Sequence, residues 1–139
     1  MYPSVVATLA LAASALPALG LVSNVIAPST GVCGQNISVT LQGQESLTNN
    51  LVFGAAWGVK PASLKNCTSC LGYKAGYQDL SKNEKLPFGR NETFQVEIPD
   101  LPNGEYYFVT TIPYEVGESG GVQLRTWNQS FTITGDCMN

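Results

Sequence analysis

Asn36-Ile37-Ser38-Val39-Thr40-Leu41-Gln42 alternates strictly, with apolar residues at the odd positions and polar residues at the even ones. Successive side chains of a strand point to opposite faces, so this run predicts a strand with one buried face and Asn36 on the wet side. Asn91-Glu92-Thr93-Phe94-Gln95-Val96-Glu97-Ile98 repeats the pattern: Phe94, Val96 and Ile98 face inward, and Asn91 shares the outward parity of Thr93, Gln95 and Glu97. In Asn128-Gln129-Ser130-Phe131-Thr132-Ile133-Thr134 the inward pair is Phe131 and Ile133, and Asn128 is again outward. Each of these three asparagines opens an Asn-X-Ser/Thr acceptor for N-glycosylation, so three residues that would carry sugar stand where the pattern places water; Asn66-Cys67-Thr68 is a fourth acceptor.

Working outward, strands are predicted at 21–27, 51–59, 105–112 and 122–126, the last running into the Asn128 segment. Val122 and Leu124 have the opposite parity to Phe131 and Ile133, which predicts a bulge near Thr126 or Trp127. In the 51–59 strand, Leu51, Phe53, Ala55, Trp57 and Val59 share one parity and form a core face. Val52, Gly54, Ala56 and Gly58 leave the other face small enough for a backbone of the same molecule to approach. Turn signals fall at Pro28–Gly31, Thr48–Asn50, Pro99–Gly104 and Gly117–Gly121, and no stretch has a helical period. About seven short strands with this punctuation predict an all-β, immunoglobulin-like β-sandwich. Asp100-Leu-Pro-Asn-Gly-Glu-Tyr106 fits the corner of that fold, where a tyrosine hydroxyl bonds back to the preceding turn.

The opening twenty residues carry an apolar run from Val5 to Ala15, a Pro17 that breaks a helix, and small residues at Ala18 and Gly20. That order reads as a secretory signal peptide over 1–20, too short to span a bilayer, leaving 21–139 as a single domain with no stable membrane insertion once the signal is removed. Four cysteines in an oxidising compartment mean two bridges, and four permit three pairings. A sandwich whose first strand lies parallel to its last favours Cys33–Cys137 and Cys67–Cys70. The long bridge would contribute roughly 4–5 kcal/mol by chain entropy. Cys67-Thr-Ser-Cys70 also has redox spacing, yet thiol exchange needs a thiol pKa lowered at a helix N-terminus, and no helix is predicted there. The pair reads as a loop staple.

Charge is unevenly placed. Residues 60–90 hold six of the seven basic groups, while residues 91–139 carry seven acids against Arg125 alone. A net charge of −3 with one diffuse basic segment excludes a nucleic-acid binder, which needs a dense cationic face. The chain has no histidine, which removes Ser-His-Asp and Cys-His nucleophiles and His-ligated metals. A carboxylate pair remains as the enzymatic option. Glu92, Glu97, Asp100, Glu105, Glu115, Glu118 and Asp136 lie mostly on strand exteriors or turn tips, so no catalytic residue, metal or cofactor is assigned. The segment Lys60–Arg90 interleaves cations with aromatics, as contact surfaces do. Lys65, Tyr73, Lys74, Tyr77, Lys82, Lys85, Phe88 and Arg90 are its candidate binding residues, with an edge strand expected near Leu71–Tyr77.

Val22-Ser-Asn-Val-Ile-Ala-Pro-Ser-Thr30, Phe53-Gly-Ala-Ala-Trp-Gly-Val59, Leu101-Pro-Asn-Gly104 and Ser130-Phe-Thr-Ile-Thr-Gly135, in that order, resemble the necrosis-inducing secreted protein family of fungal effectors. The resemblance implies a small extracellular, host-associated protein of a plant-associated fungus. It would bind host proteins, receptor-like kinases among them, and suppress pattern-triggered immunity or induce necrosis. Together with the residue pattern, the expectation is a non-enzymatic, monomeric, glycosylated effector. The rival is a cell-wall or carbohydrate-binding module, whose coplanar aromatics would come from Tyr73, Tyr77 and Trp127.

Overall fold

The computed structural model describes residues 21–45, 50–81, 90–117, 120–135 and 137. The described residues form nine strands and one 3-10 turn. In order they are β1 (Leu21–Ile26), β2 (Thr30–Val32), β3 (Asn36–Gln44), β4 (Asn50–Val52), β5 (Gly54–Pro61), the turn Ala62–Leu64, β6 (Tyr73–Asp79), β7 (Asn91–Glu97), β8 (Gly104–Val116) and β9 (Gly121–Thr134). They make two sheets, β1-β3-β7 and β2-β9-β8-β5-β6, with β4 also paired to β8. The architecture is all-β and sandwich-like.

The alternating runs dictate the core. Ile37, Val39 and Leu41 of β3 and Val96 of β7 are buried, with Phe94 half-buried beside them, while Asn36, Ser38, Asn91, Thr93, Gln95 and Glu97 are exposed. Opposite them the large sheet contributes Ala55, Trp57 and Val59 of β5, Phe108, Ile112 and Tyr114 of β8, and Phe131 and Ile133 of β9. Burying such faces is the main favourable term in folding, at about 25 cal/mol per Å2 of apolar area. Trp57 bridges the layers, its ring centroid 5.6 Å from that of Phe94. The corner tyrosine is in place: Tyr106 Oη donates to the Pro102 carbonyl over 2.8 Å.

Three expectations are corrected. The first concerns strand number, nine rather than about seven. The run expected at 51–59 breaks at Phe53, whose N–H donates to the Pro113 carbonyl (3.0 Å) while its own carbonyl takes the Leu80 and Ser81 amides. The β4–β8 pairing Val52↔Tyr114 and the β5–β8 pairing Ala56↔Thr111 then differ by one residue in register. The slip changes parity, so Val52 is buried while Leu51 and Phe53 are only half-buried.

The second concerns which strand runs parallel to the last. β1 pairs antiparallel with β3; the parallel partner of β9 is the three-residue β2, through Thr30↔Thr132, Gly31↔Ile133 and Val32↔Thr134. Gly31 permits this approach, because a Cβ there would stand 2.6 Å from a Phe131 ring carbon. Cys33 and Cys137 follow the two strands and are bridged with Cα atoms 5.9 Å apart.

The third is the expected bulge near Thr126 or Trp127. β9 pairs with β8 in one unbroken register from Gly104↔Ile133 to Val116↔Gly121. Val122 and Leu124 therefore point away from the core, 63% and 70% exposed. Apart from Trp127, the inward positions from Gln123 to Gln129 are polar; Arg125 and Gln129 are satisfied across the layer and Gln123 within its own sheet. Arg125 Nη1 donates to the Val22 carbonyl at 3.1 Å, and Gln129 Nε2 donates to the Ala27 carbonyl at 3.0 Å. Gln123 Oε1 accepts from the Tyr114 hydroxyl at 2.8 Å. This register predicts that Leu124→Thr changes unfolding free energy by no more than ~0.5 kcal/mol in urea titrations, as an exposed site should. A loss of ~2 kcal/mol would instead restore the bulge, with Leu124 inside.

Candidate contact surface

The outer face of the large sheet carries most of what the core does not explain. At one end, the chain after Pro61 turns back over β5. Gly58 lets it in: a Cβ at Gly58 would collide with the Leu71 carbonyl, as the small-residue pattern of that strand predicts. Cys67 and Cys70, bridged with Cα atoms 5.4 Å apart, close this loop. Beneath it Val109 is fully buried although it lies outside the main core.

Lys60 is buried there too, only 2% exposed. A buried charge is costly unless it is hydrogen-bonded. Lys60 Nζ donates to the Cys67 carbonyl at 3.1 Å and to Asn128 Oδ1 at 3.0 Å, and it lies 5.9 Å from the Tyr107 ring centroid. One ammonium thus ties β5 to the stapled loop and to β9. Sequence reasoning counted Lys60 among the cations of a basic segment and missed this role, because outward parity on a strand ordinarily means solvent. The available signal was the cysteine pair just downstream, which folds the loop back over it.

The predicted binding residues do not form one surface. Lys65 is exposed in the stapled loop, and Lys74 and Tyr77 pair with Gly58 and Ala56 on the outer face. Tyr73 pairs with the core-facing Val59, so it points to the opposite side of β6. Arg90 precedes β7 on the small sheet, its carbonyl accepting the Gly43 amide at 3.0 Å. Lys82, Lys85 and Phe88 lie outside the described residues. What the structure adds is the other end of β9. Leu124 pairs with Pro113, one step along from Thr126↔Thr111, and Thr111 and Tyr77 both flank Ala56. Tyr77, 59% exposed, therefore shares a face with Leu124 and Val122.

All four acceptor asparagines are exposed. Asn36 and Asn91 sit at opposite ends of the β3–β7 pair, opposite Glu97 and Gln42. Asn66 and Asn128 stand in or beside the stapled loop. None falls among Tyr77, Leu124 and Val122. Beside Asn128 the outer face has a depression of about 150 Å3, lined by Ala62, Glu105, Tyr107, Ser130 and Thr132 among others. Among the described residues, no group of three or more Cys, Asp or Glu is placed to hold a metal ion, and no helix is long and apolar enough to cross a membrane.

Fold and surface together define a small all-β protein, stapled by two disulfides, whose distinctive features are faces rather than a deep cavity. The sequence profile of the Nis1 family matches residues 18–132, and the chain belongs to that family, which is of fungal effector type. No curated protein matches the chain.

Proposed function

We propose that this chain is a secreted fungal effector that acts without catalysis by occupying a host protein surface, and so suppresses pattern-triggered immunity or induces necrosis. Membership of the Nis1 family over residues 18–132 is the observation that carries this reading. Receptor-like kinases are the partners that the family resemblance suggests. Residues 1–20 direct secretion, and residues 21–139 work as one extracellular, host-associated monomer with no cofactor, nucleic acid or inserted membrane segment. The fold is read as immunoglobulin-like, on the strength of the tyrosine corner and the short strand running parallel to β9.

The contact surface is the outer face around Tyr77, Leu124 and Val122, with Lys74 at its edge. Apolar and aromatic anchors supply affinity in such contacts, and nearby cations steer approach to an acidic partner. The carbohydrate-binding alternative requires coplanar exposed aromatics. Tyr73 and Tyr77 face opposite ways, and Trp127 is half-buried against the core, which weighs against it.

The test is to apply the oxidised, secreted protein to plant tissue and record the oxidative burst triggered by a microbial elicitor. The expected result is a dose-dependent reduction of the burst or visible necrosis. Turnover of a cell-wall polysaccharide that a carboxylate-to-amide substitution abolishes, or retention on chitin or glucan with no effect on the burst, would overturn the reading.

A further inference from the structure

We propose that the depression beside Asn128 seats the first N-acetylglucosamine of a glycan carried on Asn128 itself. The inference needs only the secretory route from the preceding reading and says nothing of a host partner.

Three observations converge on it. Asn128 projects from the outer face of β9 with its amide already oriented. Its Oδ1 accepts from Lys60 Nζ over 3.0 Å, which leaves Nδ2, the atom that takes sugar, turned away from the ammonium. Outward neighbours on the strand follow two residues apart, about 7 Å along the chain. Ser130 and Thr132 are those neighbours, and both line the depression. A sugar that runs from Nδ2 along β9 toward Ser130 reaches it.

The lining suits a sugar. Tyr107 offers an aromatic face, while Glu105, Ser130 and Thr132 offer oxygens that bond hydroxyl and acetamido groups. A volume of about 150 Å3 is well below the roughly 300 Å3 of a drug-sized site, so the depression suits a small group and not an extended ligand. Lys60 fixes the acceptor amide: only 2% exposed, it donates to the Cys67 carbonyl and to Asn128 Oδ1, which holds one orientation of the Asn128 side chain. Asn36 and Asn91 sit on the solvent face of the small sheet, away from this depression, so they serve as internal controls.

The experiment uses the full chain secreted from a glycosylating yeast. Peptide mass spectrometry gives occupancy at each acceptor, and the native glycoprotein is then digested with peptide-N-glycosidase F over a time course. We expect Asn128 to be occupied and its glycan released about tenfold more slowly than those on Asn36 and Asn91, the factor that roughly one retained hydrogen bond provides. Denaturation should erase the protection. Tyr107→Leu and, independently, Thr132→Val should speed release at Asn128 alone. An unoccupied Asn128, or native release as fast as at Asn36, overturns the proposal without bearing on host binding.

Discussion

Replacing Cys33 and Cys137 together with serine is expected to remove about 4–5 kcal/mol of folding stability, whereas replacing Cys67 and Cys70 should remove only about 2. The difference follows from loop closure: the first bridge joins residues 104 apart in sequence, the second residues three apart. For a domain whose total stability is of order 5–15 kcal/mol, the first loss is a large fraction. It should lower Tm by at least ~10 °C. The local reason is the brevity of β2. Only three residues of β2 pair with β9, and apart from the bridge and the side chains packed on Gly31 the segment is held by a few hydrogen bonds, among them Cys33 N–H to the Thr134 carbonyl at 3.3 Å and Gly34 N–H to the Ile98 carbonyl at 2.8 Å. Calorimetry of both double variants under non-reducing conditions measures the contrast. Equal losses from the two pairs would mean that the clamp between β2 and β9 is not what restrains the chain ends.

Trp57→Ala should cost about 3–5 kcal/mol, the range for deleting a buried aromatic whose cavity cannot collapse. Trp57 is 3% exposed and is the residue through which the large sheet meets Phe94 of the small one. Trp57→Phe should be far milder. The indole Nε1 is buried with no hydrogen-bond partner among the described residues, and an unmet buried donor costs about 1–3 kcal/mol. Removing it offsets most of the smaller cavity that phenylalanine leaves, for a net loss of about 1 kcal/mol or less. Urea denaturation of the two variants decides the matter. A Phe variant as unstable as the Ala variant would mean that the N–H is satisfied in solution.

Most of the fold was legible where one physical rule acted alone. β3, β7 and the distal half of β9 face water on one side and core on the other, so alternation gave their parity directly. The rule failed where the large sheet extends past the small one. At the hairpin end of β9 the inward residues are Gln123, Arg125, Trp127 and Gln129, three of them polar; Arg125 and Gln129 reach backbone carbonyls in and after β1. Apolar Val122 and Leu124 are left outside, and a parity rule that assigns apolar residues to the core inverts that stretch. The break at Phe53 was hidden because every residue around it is compatible with a strand on either face. Lys60 was hidden because its burial depends on a loop that arrives later in the chain. The candidate surface was half legible for the same reason. Tyr77 and Lys74 were visible in sequence, but their neighbours on the same face come from β9, and only register brings them together.

The central claim is that this face acts by contact. Its most direct test is a binding titration of the oxidised protein against purified receptor-like kinase domains, wild type beside a Tyr77→Ala/Leu124→Asp variant of matched Tm. The account predicts saturable binding by the wild type and a loss of at least ~100-fold in the variant, about 2.7 kcal/mol, as removal of an anchor pair should give. Binding that is unchanged in the variant, or absent from every kinase domain for the wild type, would contradict it.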